Sequence, residues 1–200
     1  SSSMLATPPK KNRVILSTFT FLMNTLEKEY QKYRWFYTLS GKLVLGGKSA
    51  AQNEELLKRL KKFSNDLYVL HTSSPGSPFS AILSDKTKVS ETDLEEVAIF
   101  TGCFSRAWRE MKKNVSVDIF STSSLSKDSS MKIGTWGVKS KIRRKLIKLS
   151  LVLTFQKDKL RAVPEITLKK KTDGLLKIIP GNIDKIHLLT KLQVQLPKSL

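Results

Sequence analysis

The chain has 200 residues and a single cysteine, Cys103. One thiol excludes an intramolecular disulfide and gives no sign of an oxidising compartment. Histidine is almost as scarce, with only His71 and His187, so the ligand spacings of zinc fingers and ribbons cannot be assembled. No apolar run approaches the length of a membrane span, and the stretch Leu149–Leu153 is strand-sized. Acid is also in short supply. Residues 1–26 hold none, and the whole chain sets 17 Asp and Glu against 36 Lys and Arg, a formal charge of +19. Hydrophobic residues make up 40%, enough for a folded core. A folded domain with that excess repels itself unless something anionic neutralises it. Nucleic acid is the commonest such partner, and an acidic protein or a membrane surface is the alternative.

Near the start, Lys10, Lys11 and Arg13 precede Val14–Leu26, which has the outline of a targeting segment. Ser17, Thr18, Thr20 and Asn24 interrupt it, and no small-residue cleavage site follows. An ordinary helix with Leu22, Leu26 and Tyr30 on one face is the expectation instead. Aromatic Tyr33–Leu39, the turn Ser40-Gly41 and Lys42–Leu45 predict a hairpin. Ser49 and Gln52 form a capping-box start for a helix over about 50–62, with Leu56, Leu57, Leu60 and Phe63 inward and Lys58, Arg59, Lys61 and Lys62 outward. Asp66–His71 and Phe79–Leu83 read as strands around the turn Ser73–Pro78. Ser90 with Asp93 caps a second helix carrying Leu94, Val97, Ala98, Thr101 and Trp108. Val115, Val117 and Ile119 alternate as a strand, a serine-rich loop spans Ser121–Ser130, and Lys145–Phe155 reads as one long strand. Val163–Leu168 and Leu175–Ile179 are further strands, and Asn182 caps a short final helix. Strands outnumber helices and no βαβ rhythm is present. The expected fold is α+β, a mostly antiparallel sheet with two main capped helices and a short C-terminal helix.

One stretch resembles catalytic machinery. Leu43-Val-Leu-Gly-Gly-Lys-Ser49 ends like a P-loop, but the motif needs its first glycine at position 42, which is Lys42. No acidic strand end supplies a magnesium ligand, so nucleotide hydrolysis is not expected. A helix N-terminus beside Lys48 still suits an RNA phosphate, and a plain hairpin-to-helix joint is the competing reading. His71 has no nucleophile and orienting acid that spacing alone identifies, and Cys103 reads as a core residue. The basic stretch is the strongest constellation. From Met131 to Lys171 there are 13 Lys and Arg against Asp158 and Glu165, with Lys139, Lys141, Arg143, Arg144 and Lys145 crowded together after Gly134, Trp136 and Gly137. Such cations contact phosphates, while Trp136 either fills the core or stacks on an unpaired base.

The order of short motifs then points to a family. Trp35-Phe36-Tyr37, Ser40-Gly41, Leu43-Val44-Leu45-Gly46-Gly47-Lys48 and Gln52-Asn53-Glu54 resemble the opening of the NFACT-R domain. The likeness continues through Asp66-Leu67-Tyr68-Val69 with His71, Pro75-Gly76-Ser77, Leu94-Glu95-Glu96 with Ala98, Ser105-Arg106-Ala107-Trp108, Val115-Ser116-Val117 and Lys132-Ile133-Gly134-Thr135-Trp136-Gly137-Val138. It covers about residues 33–165. The resemblance implies an α+β RNA-binding domain whose best-known bearers engage the large ribosomal subunit and tRNA during quality control of stalled chains. Two departures stand out: Leu70 intervenes before His71, and Pro78-Phe79 replaces a histidine and aliphatics.

The expected organisation is an N-terminal extension over 1–32, the RNA-binding domain over 33–165 standing alone, and a C-terminal extension over 166–200. The expected function is RNA binding without catalysis or cofactor, in a quality-control-type factor or a constitutive ribosomal component. The expected partners are rRNA or tRNA and the ribosome, chiefly its large subunit, with no DNA preference and no integral membrane association. The location is intracellular, cytoplasmic or organellar. The RNA-binding residues expected are Lys48, Asn53, His71, Lys132, Trp136, Lys139, Lys141, Arg143, Arg144 and Lys145, with no catalytic or metal site. An adaptor that turns the same basic face to an acidic protein or membrane surface is the competing function.

Overall fold

The computed structural model describes residues 23–63, 65–140 and 143–181, together with His187 and Thr190. Among these the elements run α1 (23–29), β1 (Arg34–Tyr37), β2 (Leu43–Gly46), α2 (Ala50–Leu60), β3 (Tyr68–Thr72), β4 (Ser80–Ile82), α3 (Glu91–Cys103), α4 (Arg106–Arg109) and β5 (Asn114–Ser121). Six short strands follow: β6 (Leu125–Ser126), β7 (Gly137–Val138), β8 (Arg143–Lys148), β9 (Leu151–Gln156), β10 (Lys159–Val163) and β11 (Leu176–Ile178). The main sheet has the order β1-β2-β4-β3-β5-β8, beside a three-stranded sheet β10-β9-β11 and the pair β6-β7. Every described pairing is antiparallel, and the fold is α+β as expected.

Strand alternation sends neighbouring side chains to opposite faces of the main sheet, and each face has its own core. Trp35, Leu43, Leu45, Val69, Ala81 and Phe120 pack with Leu56, Leu57 and Leu60 of α2. Phe36, Val44, Leu70, Ile82, Val117 and Ile119 pack with Leu94, Val97, Ala98 and Phe100 of α3. Leu26 of α1 is wholly buried in the α2 core, and Glu29 meets Arg59 at 3.0 Å, so residues 23–32 are fastened to the domain. Leu22 and the earlier part of the expected N-terminal helix lie outside the described residues. So do Asn182, Ile183, Ile186 and Leu189 of the expected final helix, where His187 and Thr190 are described and helical.

Both caps read from the sequence form. Ser49 Oγ accepts from Gln52 N at 3.2 Å, and Ser90 with Asp93 makes a full capping box. The helix expected to reach Trp108 is two helices. Ser105 Oγ donates to the Gly102 carbonyl and accepts from Ala107 N, closing α3 and capping α4. The expected strand Lys145–Phe155 is also two. Lys148 pairs with Asn114 at the start of β5, so β8 has no partner beyond it and the chain leaves the main sheet to build β9. The inward side changes with it: Val152 and Thr154 are buried while Phe155 is exposed. Val163–Leu168 is not a strand, because Pro164 lacks an N–H and the chain turns over Glu165–Thr167. The serine-rich loop contains β6.

The edges of the main sheet are managed differently. Along β1, the Gln156 amide accepts from Tyr37 N and donates to Tyr37 O, both at 2.8 Å, as a neighbouring strand would. Arg161 donates to Trp35 O and lies over the Trp35 ring at 4.2 Å. At the other edge, β8 carries Arg143, Arg144, Lys145 and Lys148, charges that discourage edge-to-edge pairing.

Candidate nucleic-acid interface

The register brings one end of the main sheet together as a row. Arg34 pairs with Gly46, Gly46 with Ser80, Ser80 with Leu70, Leu70 with Ile119, and Ile119 with Arg143. One residue further out, the Gly47 N–H reaches the Phe79 carbonyl, His71 faces Asp118, and Asp118 faces Arg144. A cleft of about 910 Å³ opens at this end, between the N-terminus of α2, the 73–78 turn, α4 and the segment 133–138.

Three consecutive side chains of α2 fasten the segments around it, and of these Asn53 lines the cleft itself. Gln52 Oε1 accepts from Lys48 N at 2.8 Å, and its amide donates to Lys32 O. Asn53 Oδ1 accepts from Phe79 N at 3.0 Å while its amide points to Ser77 O. Gly47 lies so close to the Asn53 amide that any side chain at 47 would collide with it. Glu54 Oε2 accepts from the Lys127 ammonium, Gly134 N and Trp136 Nε1 at 3.0, 3.0 and 3.1 Å. Lys58 meets its other oxygen at 3.2 Å. Burial opposes ionisation of Glu54, but these donors outweigh it and hold the carboxyl at about 2. The segment 127–136 is therefore latched onto α2. Gly134, at φ +79°, sits against Ala50, where a side chain would be strained and crowded.

Opposite this latch, Gly76 (φ +108°) accepts from Arg106 N at 2.8 Å, tying the 73–78 turn to α4. Thr72 N donates to Ser77 Oγ and Thr72 Oγ1 to Ser74 O, which closes the turn on β3. Four cations line the cleft: Arg34, Lys48, Arg106 and Arg109. The single lining acid is Asp118, bonded by Arg144 Nε at 2.6 Å and by Ser73 Oγ at 2.9 Å. The excess charge of the cleft is positive. Arg34 lies 5.3 Å from the centre of the Phe104 ring, and its Nε is buried without a hydrogen-bond partner. Burial lowers the Arg34 pKa below the usual arginine value.

Of the residues expected from sequence, the cleft gathers Lys48, Asn53, His71 and Trp136. Lys48 is exposed, but its N–H is taken by Gln52, and Asn53 spends both ends of its amide on the 77–79 segment. Both therefore also shape the joint. His71 stacks on Phe79 at 4.4 Å between ring centres and donates through Nδ1 to the Thr72 carbonyl. Burial depresses its pKa and favours the neutral ring. Trp136 packs against the α2 core, as one of its two readings expected, and also lines the cleft. Lys132 and Lys139 are exposed and line no wall of the cleft. Lys141 lies outside the described residues.

The crowded cations of β8 have structural partners. Arg143 meets Glu91 at 2.8 Å and Lys145 meets Glu95 at 2.9 Å, both on α3, while Arg144 holds Asp118 from the opposite face. Sequence reasoning missed Arg34, Arg106 and Arg109. The signal was present in Ser105-Arg106-Ala107-Trp108, where the Ser105 cap starts a new helix that delivers Arg106 and Arg109 to the cleft. Cys103 also lines the cleft, but burial raises its thiol to about 12, where little thiolate forms.

The molecule is thus of the class of α+β domains with a preformed cationic cleft at one end of an antiparallel sheet. Within that class the chain belongs to the NFACT protein RNA-binding domain family, whose pattern it matches over residues 32–140. It is 40% identical over 82 residues to the archaeal Rqc2 homolog aRqcH of Methanocaldococcus jannaschii, a match that takes in 41% of this chain and 12% of that protein. The C-terminal part of the fibronectin/fibrinogen-binding protein from Streptococcus suis is also similar, at 22% identity and a TM-score of 0.49, over 59% of this chain and 45% of that one.

Proposed function

We propose that the chain binds ribosomal or transfer RNA through the cleft at the sheet end, and acts at the ribosome, chiefly on the large subunit. The observation that carries this reading is the charge of the cleft. Four cations converge there, and its one acid is already neutralised by Arg144. Membership of an RNA-binding family and the likeness to an Rqc2 homolog support the same partner. The +19 charge of the whole chain adds long-range attraction to any polyanion.

The role is binding, not catalysis. His71 is committed to a backbone carbonyl and Cys103 is held as thiol, so neither has the surroundings of a nucleophile or base. Among the described residues no helix is long and apolar enough to cross a membrane, and no group of three or more His, Cys, Asp and Glu could hold a metal. The site of action proposed is intracellular, where ribosomes are. Co-sedimentation with isolated large subunits tests the proposal. Pelleting that nuclease treatment abolishes is expected. Pelleting that survives complete RNA digestion would assign the basic surface to a protein partner instead.

A further inference from the structure

The walls of the cleft are not those of a simple phosphate track. A groove for a duplex backbone needs cations on an open surface, and it has no use for deep aromatic walls. Here Phe104 and Trp108 come from the α4 side and Trp136 from the latched segment, so rings line the cleft together with the cations. The volume, about 910 Å³, falls in the range that encloses a small-molecule-sized group. That volume is enough for one nucleotide.

Three details give it the character of a preformed receptor. Trp136 commits its only polar atom to Glu54, which fixes the indole, with the Lys127 ammonium 5.7 Å from the ring centre. Arg34 lies 5.3 Å from the centre of the Phe104 ring and lines the cleft beside it. Ile133 completes the rim and is 69% exposed, an apolar side chain set beside cations with no described core contact.

We propose that the cleft receives a single unpaired nucleotide turned out of an RNA bulge or loop. The base packs among the aromatic walls, Arg34 donates to an acceptor on it, and Lys48, Arg106 and Arg109 take the flanking phosphates. Rings and a guanidinium plane are the surfaces on which unstacked bases settle, and every base has a face to offer. This rests on the RNA reading above and narrows it from a charged surface to a receptor for a flipped base.

Three hairpins of one sequence test it by fluorescence anisotropy: fully paired, with one bulged adenosine, and with an abasic site at the bulge. The bulged hairpin is expected to bind on the order of tenfold more tightly than the paired one, and the abasic hairpin to lose most of that gain. A 2-aminopurine at the bulge should change its emission on binding. Arg34→Gln should erase the bulge preference, lowering affinity for the bulged hairpin by more than it lowers affinity for the paired one. Because Arg34 packs on Phe104, Ile133→Ser at the exposed rim serves as a second variant that spares the fold, and it should reduce the preference as well. Equal affinity for paired, bulged and abasic hairpins would overturn the receptor and leave RNA binding intact. Failure to bind any of the three would overturn the RNA reading together with it.

Discussion

At the scale of single residues, the Glu54 carboxylate does two jobs, since it anchors the 127–136 segment and orients Trp136. Glu54→Ala leaves the Gly134 N–H and the Trp136 indole N–H without their acceptor and the Lys127 ammonium with only the Lys132 and Thr135 carbonyls. A loss of roughly 2 kcal/mol in urea unfolding at pH 7 is expected, since hydrogen bonds to a charged group carry the larger share of such energies. The pH dependence has a definite sign. The folded carboxyl sits at about 2 against an ordinary 4.5, so its contribution is complete above about 4.5 and is lost as pH falls toward 2. The gap between wild type and Glu54→Gln should therefore close on titrating from pH 6 to pH 2.5, and a constant gap would refute the assignment.

Glu96 behaves in the opposite sense. It is wholly buried, accepting from Leu39 N and Thr167 Oγ1 on one oxygen, while the other has no partner. Burial raises its carboxyl to about 7. A raised acid favours the folded state fully below its ordinary 4.5, and this support is lost as pH rises through 7. Unfolding at pH 5 and pH 8 should show Glu96→Gln gaining on wild type at the higher pH. No relative gain would mean that Glu96 stays ionised in the fold.

At the scale of elements, the β8 cations meet acids of α3 and β5, while the α4 cations line the cleft. Density of charge along the sequence pointed to Arg143, Arg144 and Lys145. A sequence does not show that Glu91 and Glu95, on a helix some 50 residues earlier, lie within reach of them. Arg106 and Arg109 looked ordinary because their position depends on the break at Ser105, a tertiary event inside an apparently continuous helical pattern. Hairpins and caps were legible, since Ser40-Gly41, Ser49 and Ser90 act through local geometry. The division of Lys145–Phe155 was not legible, because it depends on where β5 begins. The Gln-Asn-Glu triplet was visible as a motif, but its three different tethers appear only in space. Removing the β8–α3 pairs by Arg143→Ala and Lys145→Ala should cost at most about 1 kcal/mol, because both are partly solvated. Gly47→Ala should cost more, since the added methyl meets the Asn53 amide and disturbs the tether to Phe79. Thermal unfolding of the two variants gives the comparison, and the reverse order would contradict this account of the joint.

At the scale of the molecule, a charge of +19 attracts any polyanion, so affinity alone is a weak test of a specific site. Removing cations anywhere lowers the net charge and the salt dependence by similar amounts. Position is what separates a cleft from a charged surface. Two double variants carry the same charge change: Arg106→Ala with Arg109→Ala in the cleft wall, and Arg143→Ala with Lys145→Ala on β8. The most direct measurement is the affinity of both for one structured RNA, taken over a salt series with folding checked by circular dichroism. The account predicts a loss on the order of tenfold or more for the cleft variant and less than threefold for the β8 variant, at every salt concentration. Equal losses would show that the chain binds RNA by net charge alone, and a larger loss from β8 would place the interface on the strand that the structure pairs with α3.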